Sequence, residues 1–144
     1  MNEQELYDEL LALAGENLIN IEHTQGHAND PDVAFTQLRI ININDAFVTE
    51  YSKVARLGHE IGHFMSVGGS SPVYHFSPLG KSDAEKSANR WFIEWVSRRV
   101  YGDTETVYWN WANLMLSLHL PSEFEPVVVD VLNDMNAKDA SLII

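Results

Sequence analysis

The sequence predicts an α+β fold: a mostly helical domain with a small N-terminal β-sheet packed on the helix that carries residues 59–63. Three observations predict it. Two stretches rich in β-branched residues, 18–23 and 39–44, come early, and a loop of Gly, Asn, Asp and Pro follows the first. Apolar residues recur at helical spacing before these stretches and in four further segments after residue 47. No repeat, low-complexity run or long linker divides the 144 residues, so a single domain over 1–144 is expected.

Taken in order, Leu6, Leu10, Leu13 and Ala14 give a first helix over 3–14, with Gly15 as its stop. Leu18 to His23 alternate in part and read as a short strand. Residues 24–32 form a loop. Arg39 to Asn44 suit a strand, so two or three strands precede the next helix, with Asn44-Asp45 as the turn. That helix covers roughly 47–67, and Gly68-Gly69-Ser70-Ser71-Pro72 ends it. Residues 72–81 read as a loop with room for a short strand at 73–76. Three helices follow, about 82–101, 105–119 and 122–137, with Ser82, Asp103 or Thr104, and Ser122 as N-caps. The run Val127-Val128-Val129 suits a strand by composition. Helical spacing of Val128, Val131, Leu132 and Met135 favours a helix instead.

Composition narrows the function. The 45% hydrophobic content can fill one core. No apolar run approaches the roughly 20 residues that span a membrane, and the acidic N-terminus lacks a signal-peptide pattern, so a cytoplasmic location is expected. Without cysteine there is no disulfide framework and no Cys-ligated zinc. A net charge of −12 repels phosphate backbones, so no direct nucleic-acid binding is expected, and a basic protein partner fits better. Lys81, Lys86, Arg90, Arg98 and Arg99 read as a solvated helix face.

The most specific signal is His59-Glu60-Ile61-Gly62-His63, the His-Glu-x-x-His pattern of zinc metallopeptidases. A shuffled chain of this composition would show it about 0.02 times. The plain alternative is an amphipathic helix with two surface histidines. On a helix, residues i and i+4 share a face, so His59 and His63 can reach one zinc ion. Glu60 lies beside that face, where a carboxylate can take a proton from water activated by the metal. Val54, Leu57, Ile61 and Met65 form an apolar face next to it. Gly58 and Gly62 point to close approach of another backbone.

Catalytic zinc takes three protein ligands and keeps one position open. A third histidine in the pattern His-Glu-x-x-His-x-x-Gly-x-x-His is ruled out, because Ser66 and Gly69 stand where Gly and His are needed. A glutamate on the next helix is the other route, and Glu85 lies 22 residues past His63. Ser82-x-x-Glu85 is equally a capping box, which needs no metal. Asp83 and His75 are the alternative ligands. Asn89, one turn after Glu85, suits an amide that accepts the outer N–H of a ligand histidine. An oxyanion donor is also needed. Tyr74 and His75 sit between the ligand helices and are assigned that role, with Tyr51 and Tyr101 as alternatives. Trp91, Trp95, Trp109 and Trp111 read as packing residues, and His23, His27 and His119 as structural or solvated.

The order of a strand, a His59-Glu60-Ile61-Gly62-His63 helix, a loop and then Glu85-Lys86-Ser87-Ala88-Asn89-Arg90-Trp91-Phe92 resembles the ImmA/IrrE family of metallopeptidases of bacteria, phages and mobile elements. That family shows His-Glu-h-Gly-His followed by Glu-x-x-Ala-Asn-x-Phe. Ala88 and Asn89 match, and Trp91 stands where phenylalanine is common. The resemblance spans about residues 35–96. The Leu-Leu-Met-Pro-like stretch usual after the second helix is absent, and the chain from about 103 carries no familiar pattern. The resemblance implies a gluzincin-like peptidase core whose substrate is a protein, in the best-understood cases a DNA-binding repressor. With no helix-turn-helix segment here, that repressor would be a separate chain.

The expectation is therefore a zinc endopeptidase: His59, His63 and Glu85 on Zn2+, Glu60 as base, Asn89 orienting a histidine, Tyr74 or His75 as donor. The competing expectation is a non-catalytic, zinc-stabilised interaction module, such as a toxin–antitoxin or phage accessory protein. Such a module would close its metal site with a fourth ligand, His75 or Asp83.

Overall fold

Capping chemistry sets where most elements begin and end. In the computed structural model, which describes residues 1–66 and 71–142, helix α1 (Glu3–Glu16) opens at Asn2, whose side chain accepts the Glu5 N–H. Gly15 does not stop it. The stop comes at Leu18, which takes φ 58°, the left-handed conformation usually left to glycine. The N–H groups of Leu18 and Ile19 then close on the Gly15 and Ala14 carbonyls at 3.1 and 2.9 Å.

The sheet has four strands, three before the motif helix as expected and a fourth within the 73–76 stretch. They are β1 (Asn20–Thr24), β2 (Val33–Phe35), β3 (Ile40–Asn44) and β4 (Val73–His75), in the spatial order β1-β3-β2-β4. β1 runs parallel to β3, with Asn20 opposite Ile40. β2 is antiparallel to both β3 and β4. The short stretch after the motif helix therefore returns to the sheet as its edge. Ala34 and Ile41 bury the sheet's inner face.

Helix α2 (Lys53–Met65) starts six residues later than the expected 47. Two side chains explain the delay. Asn44 accepts the N–H groups of Gly26 and Ala46, which holds the following residues in a turn. Ser52 then caps the helix by accepting the Ala55 N–H at 3.1 Å. Ser66 is the C-cap. Residues 67–70, including the expected stop at Gly68-Gly69-Ser70, lie outside the described residues.

Helix α3 (Asp83–Tyr101) agrees with the expected span, and Ser82 caps it. The segment expected as one helix over 105–119 is a 3-10 turn (Thr106–Tyr108) followed by α4 (Trp111–Ser117). The break has a local cause. The Tyr101 hydroxyl bonds the Asn110 backbone through both N–H and carbonyl, and the Asn110 side chain caps α4 by accepting the Asn113 N–H. Asp103 and Thr104 cap nothing. The last helix, α5 (Glu125–Leu142), is preceded by a 3-10 turn at Ser122–Phe124, so Ser122 is not its cap. Val128, Val131, Leu132 and Met135 are buried at helical spacing, as expected of a helix.

Helix α2 occupies the centre. Val54, Leu57 and Ile61 are fully buried among Leu10 of α1, Ile41 of β3, Phe92, Ile93 and Val96 of α3, and the α5 valines reach the same core. Its two glycines set the distance to α3. Gly58 receives the Phe92 ring, and a Cβ on Gly62 would come within 2.6 Å of the Ala88 carbonyl oxygen. The neighbour there is backbone, so the helix must move rather than a side chain turn. Gly62→Ala is expected to destabilise the protein by about 1–3 kcal/mol despite alanine's better helix propensity. Urea unfolding would measure it, and an unchanged or raised midpoint would contradict the packing described.

Candidate metal centre

The α2–α3 approach brings together three of the residues that the sequence singles out. A ring nitrogen of His59, a ring nitrogen of His63 and a carboxylate oxygen of Glu85 all lie within 4.8 Å of one another. His63 Nε2 is 3.0 Å from Glu85 Oε1, and His59 Nε2 is 3.3 Å from Glu85 Oε2. Ligands placed tetrahedrally around one zinc at 2.0–2.1 Å stand about 3.4 Å apart, so the spacing fits. The 3.3 Å contact lacks the alignment of a hydrogen bond, and His59 Nε2 and Glu85 Oε2 have no hydrogen-bond partner. A divalent cation would satisfy both. The cluster can therefore hold a divalent metal through two nitrogens and one oxygen.

Glu85 enters the cap through its backbone alone, which leaves its carboxylate for the histidines. Its backbone N–H donates to Ser82 Oγ at 3.2 Å, while its carboxylate faces the histidines. Only half of the capping box forms. Burial alone would raise its pKa, but the two imidazoles of His59 and His63 against its oxygens outweigh burial and bring it down to about 2.

The orientation of His59 follows from a hydrogen-bond count. Asn89 Nδ2 donates to the Pro78 carbonyl at 2.6 Å, which fixes the amide. Its Oδ1 then faces His59 Nδ1 at 2.7 Å and can only accept. His59 therefore carries a proton on Nδ1 and turns Nε2, the atom a metal would take, to Glu85 and His63. The Tyr74 ring stacks on His63, with centroids 4.0 Å apart and planes at 8°. Phe76 sets its edge against His59 at 5.3 Å.

Glu60 is fully buried, and neither carboxylate oxygen has a hydrogen-bond partner. Burial raises its pKa well above the usual carboxylate value, and the negative charges of Asp32 and Glu85 add to the shift. Asp32, also fully buried, is satisfied instead. It accepts Arg56 Nε at 2.8 Å, Arg56 Nη2 at 2.7 Å and the Asn44 N–H at 3.0 Å.

The remaining candidates stand as follows. The Tyr74 hydroxyl accepts the Ser71 N–H at 3.0 Å. His75 and Asp83 are exposed and stand outside the metal-ligand cluster. Tyr51 packs on Phe76 with its hydroxyl buried and without a partner, and burial followed by the Glu123 charge pushes its pKa up to about 12. Tyr101 is engaged with Asn110. Sequence reading missed Phe76, the Pro78 carbonyl and the Asp32–Arg56 pair. Each acts across a long sequence separation, where no spacing signal reaches.

Fold and site together define an α+β domain with a two-histidine, one-glutamate metal-ligand cluster. The chain matches no family model, no curated protein and no solved structure. Among the described residues, no helix is long and apolar enough to cross a membrane.

The Glu60 shift makes a prediction for chelator-stripped protein. The folded state keeps a proton on Glu60 at pH values where the unfolded chain, near pKa 4.5, has lost it. Stability from this group is therefore present below the unfolded pKa and is lost as pH rises above it. Glu60→Gln removes the effect. Stripped Glu60→Gln should gain on stripped wild type by about 1.4 kcal/mol per pH unit above pH ~4.5, up to the folded pKa. Urea unfolding from pH 4 to 8 would measure it. A difference independent of pH would contradict the shift.

Proposed function

We propose that the chain is a zinc-dependent endopeptidase of the kind its resemblance to the ImmA/IrrE metallopeptidases implies. The observation that carries this reading is Glu60. It is a carboxyl group with both oxygens buried and unpartnered, one residue along α2 from a ligand histidine. Burying it costs stability. A metal that only braces the fold gains nothing from it, whereas hydrolysis needs a base at that place.

Zinc on His59, His63 and Glu85 would supply Lewis acidity, acidifying a water and polarising the scissile carbonyl. Glu60 takes the proton that the water loses and gives it to the leaving amine. Asn89 holds His59 in the tautomer that leaves Nε2 free. The donor for the developing oxyanion is Tyr74 or His75. Tyr74 would release the Ser71 N–H to serve, and His75 would turn inward from its exposed position.

The substrate is a protein, and a separate, basic DNA-binding repressor in the cytoplasm accords with both the resemblance and the net charge of −12. One observation favours a second reading, a zinc-stabilised interaction module: the reactive atoms are out of solvent. Against it, the ligand cluster among the described residues has three members and no fourth.

The test is a digest of a proteome-derived peptide library by zinc-loaded wild type and zinc-loaded Glu60→Gln, read by sequencing new N-termini. Cleavage by wild type, reduced at least ~10²-fold in the variant at equal zinc content, is expected. Full zinc loading with no Glu60-dependent cleavage would favour the interaction module.

A further inference from the structure

The metal-ligand side chains are shielded from solvent. His59 and His63 are 2% and 1% exposed, Glu85 is 8% exposed, and Glu60 is fully buried. No substrate reaches such a site as it stands. Part of the cover is one short strap, Ser71–Phe76, whose inner side chains lie directly on the ligands. Tyr74 stacks on His63, and Phe76 packs on His59, Tyr51 and Phe47.

The same strap joins the domain through these ring contacts and one edge of the sheet. Its strand β4 is three residues long, lies at the sheet edge and, among the described residues, pairs with β2 alone, itself three residues long. Beyond that pairing, Thr36 donates to the Pro72 and Ser71 carbonyls at 3.0 and 2.9 Å, and the Phe76 N–H donates to the Asp32 carbonyl at 2.8 Å. Val73 and His75 face outward and are exposed. A strand of three residues at a sheet edge, with exposed residues alternating along it, belongs to the less stable end of a fold. The ligands themselves sit on α2 and α3, the two most closely packed helices, so the strap can leave without dismantling the ligand cluster.

We propose that the β4 strap is a lid, and that its release from β2 admits molecules to the metal ligands. This regulates the site of the peptidase reading and rests on that reading for its biological use. The lid itself is testable without it.

The chain has no cysteine, so a staple can be introduced cleanly. Hydrogen bonds at Thr36–Pro72 and Asp32–Phe76 make Phe35–Val73 a non-hydrogen-bonded antiparallel pair. Cα atoms in such pairs stand about 4.5 Å apart, within disulfide range. Both residues lie on the face opposite Tyr74, away from the ligands. The Phe35→Cys/Val73→Cys protein would be compared oxidised and after reduction with a phosphine, so that each preparation is its own folding control.

Two readouts apply: the rate at which a chromogenic chelator strips zinc from loaded protein, and carbethoxylation of His63 in stripped protein followed by mass spectrometry. Exposed His23 serves as the internal reference. The lid predicts both rates at least about tenfold slower in the oxidised form, with His23 unchanged, and restored on reduction. Phe76→Ala, which loosens the strap, should speed both. Equal His63 rates in oxidised and reduced protein, or no His63 reaction in either, would overturn the lid. Stapled control of access without cleavage in any state would leave the lid standing and sink the peptidase reading.

Discussion

The close approach of α2 and α3 is the constraint from which the rest of the structure follows. With glycine at 58 and 62, α2 presents almost no side chain toward Phe92 and Ala88. The histidines at 59 and 63 flank those glycines, so they arrive at α3 one turn apart and facing Glu85. Asn89, one turn further along α3, meets the other side of the His59 ring. A larger residue at 62 would part the helices and separate the three ligand atoms together. Packing and chemistry are here one requirement.

The second theme is how this domain treats buried carboxylates. Asp32 is saturated: Arg56 binds it through two nitrogens and a backbone N–H adds a third bond. That pair ties the loop before β2 to α2 and secures the sheet against the helix. Glu85 is held between two imidazoles. Glu60 alone is left without a partner. Among the described residues these are the three buried acids, and Glu60 is the one whose two oxygens both lack a partner.

Much of this was legible in the sequence, and the reasons differ by element. The ligand cluster could be read because helical periodicity converts spacing into direction: i and i+4 share a face whatever the surroundings. The glycines could be read because a poor helix former on a buried helix needs a neighbour to justify it. Ser82 and Glu85 were legible twice, as cap and as ligand, and the structure needed no choice between them. The start of α2 was not legible because no Gly or Pro between 46 and 52 breaks a helix by sequence, while the Asn44 side chain claims the Ala46 N–H. The break at Asn110 depends on the Tyr101 hydroxyl, nine residues away. The fourth strand escaped firm assignment because three residues carry too little pattern. Phe76, Pro78 and Asp32 touch the site or its supports only through tertiary contacts, which no local signal announces.

The central claim is that His59, His63 and Glu85 form one divalent metal site with Glu60 beside it and not in it. Its most direct test is the metal content of protein purified without chelating resin, for wild type, Glu85→Ala and Glu60→Gln. About one zinc per chain in wild type, lost in Glu85→Ala and kept in Glu60→Gln, is the result this account predicts. Wild-type protein that carries no metal and takes none up when zinc is added back would contradict it.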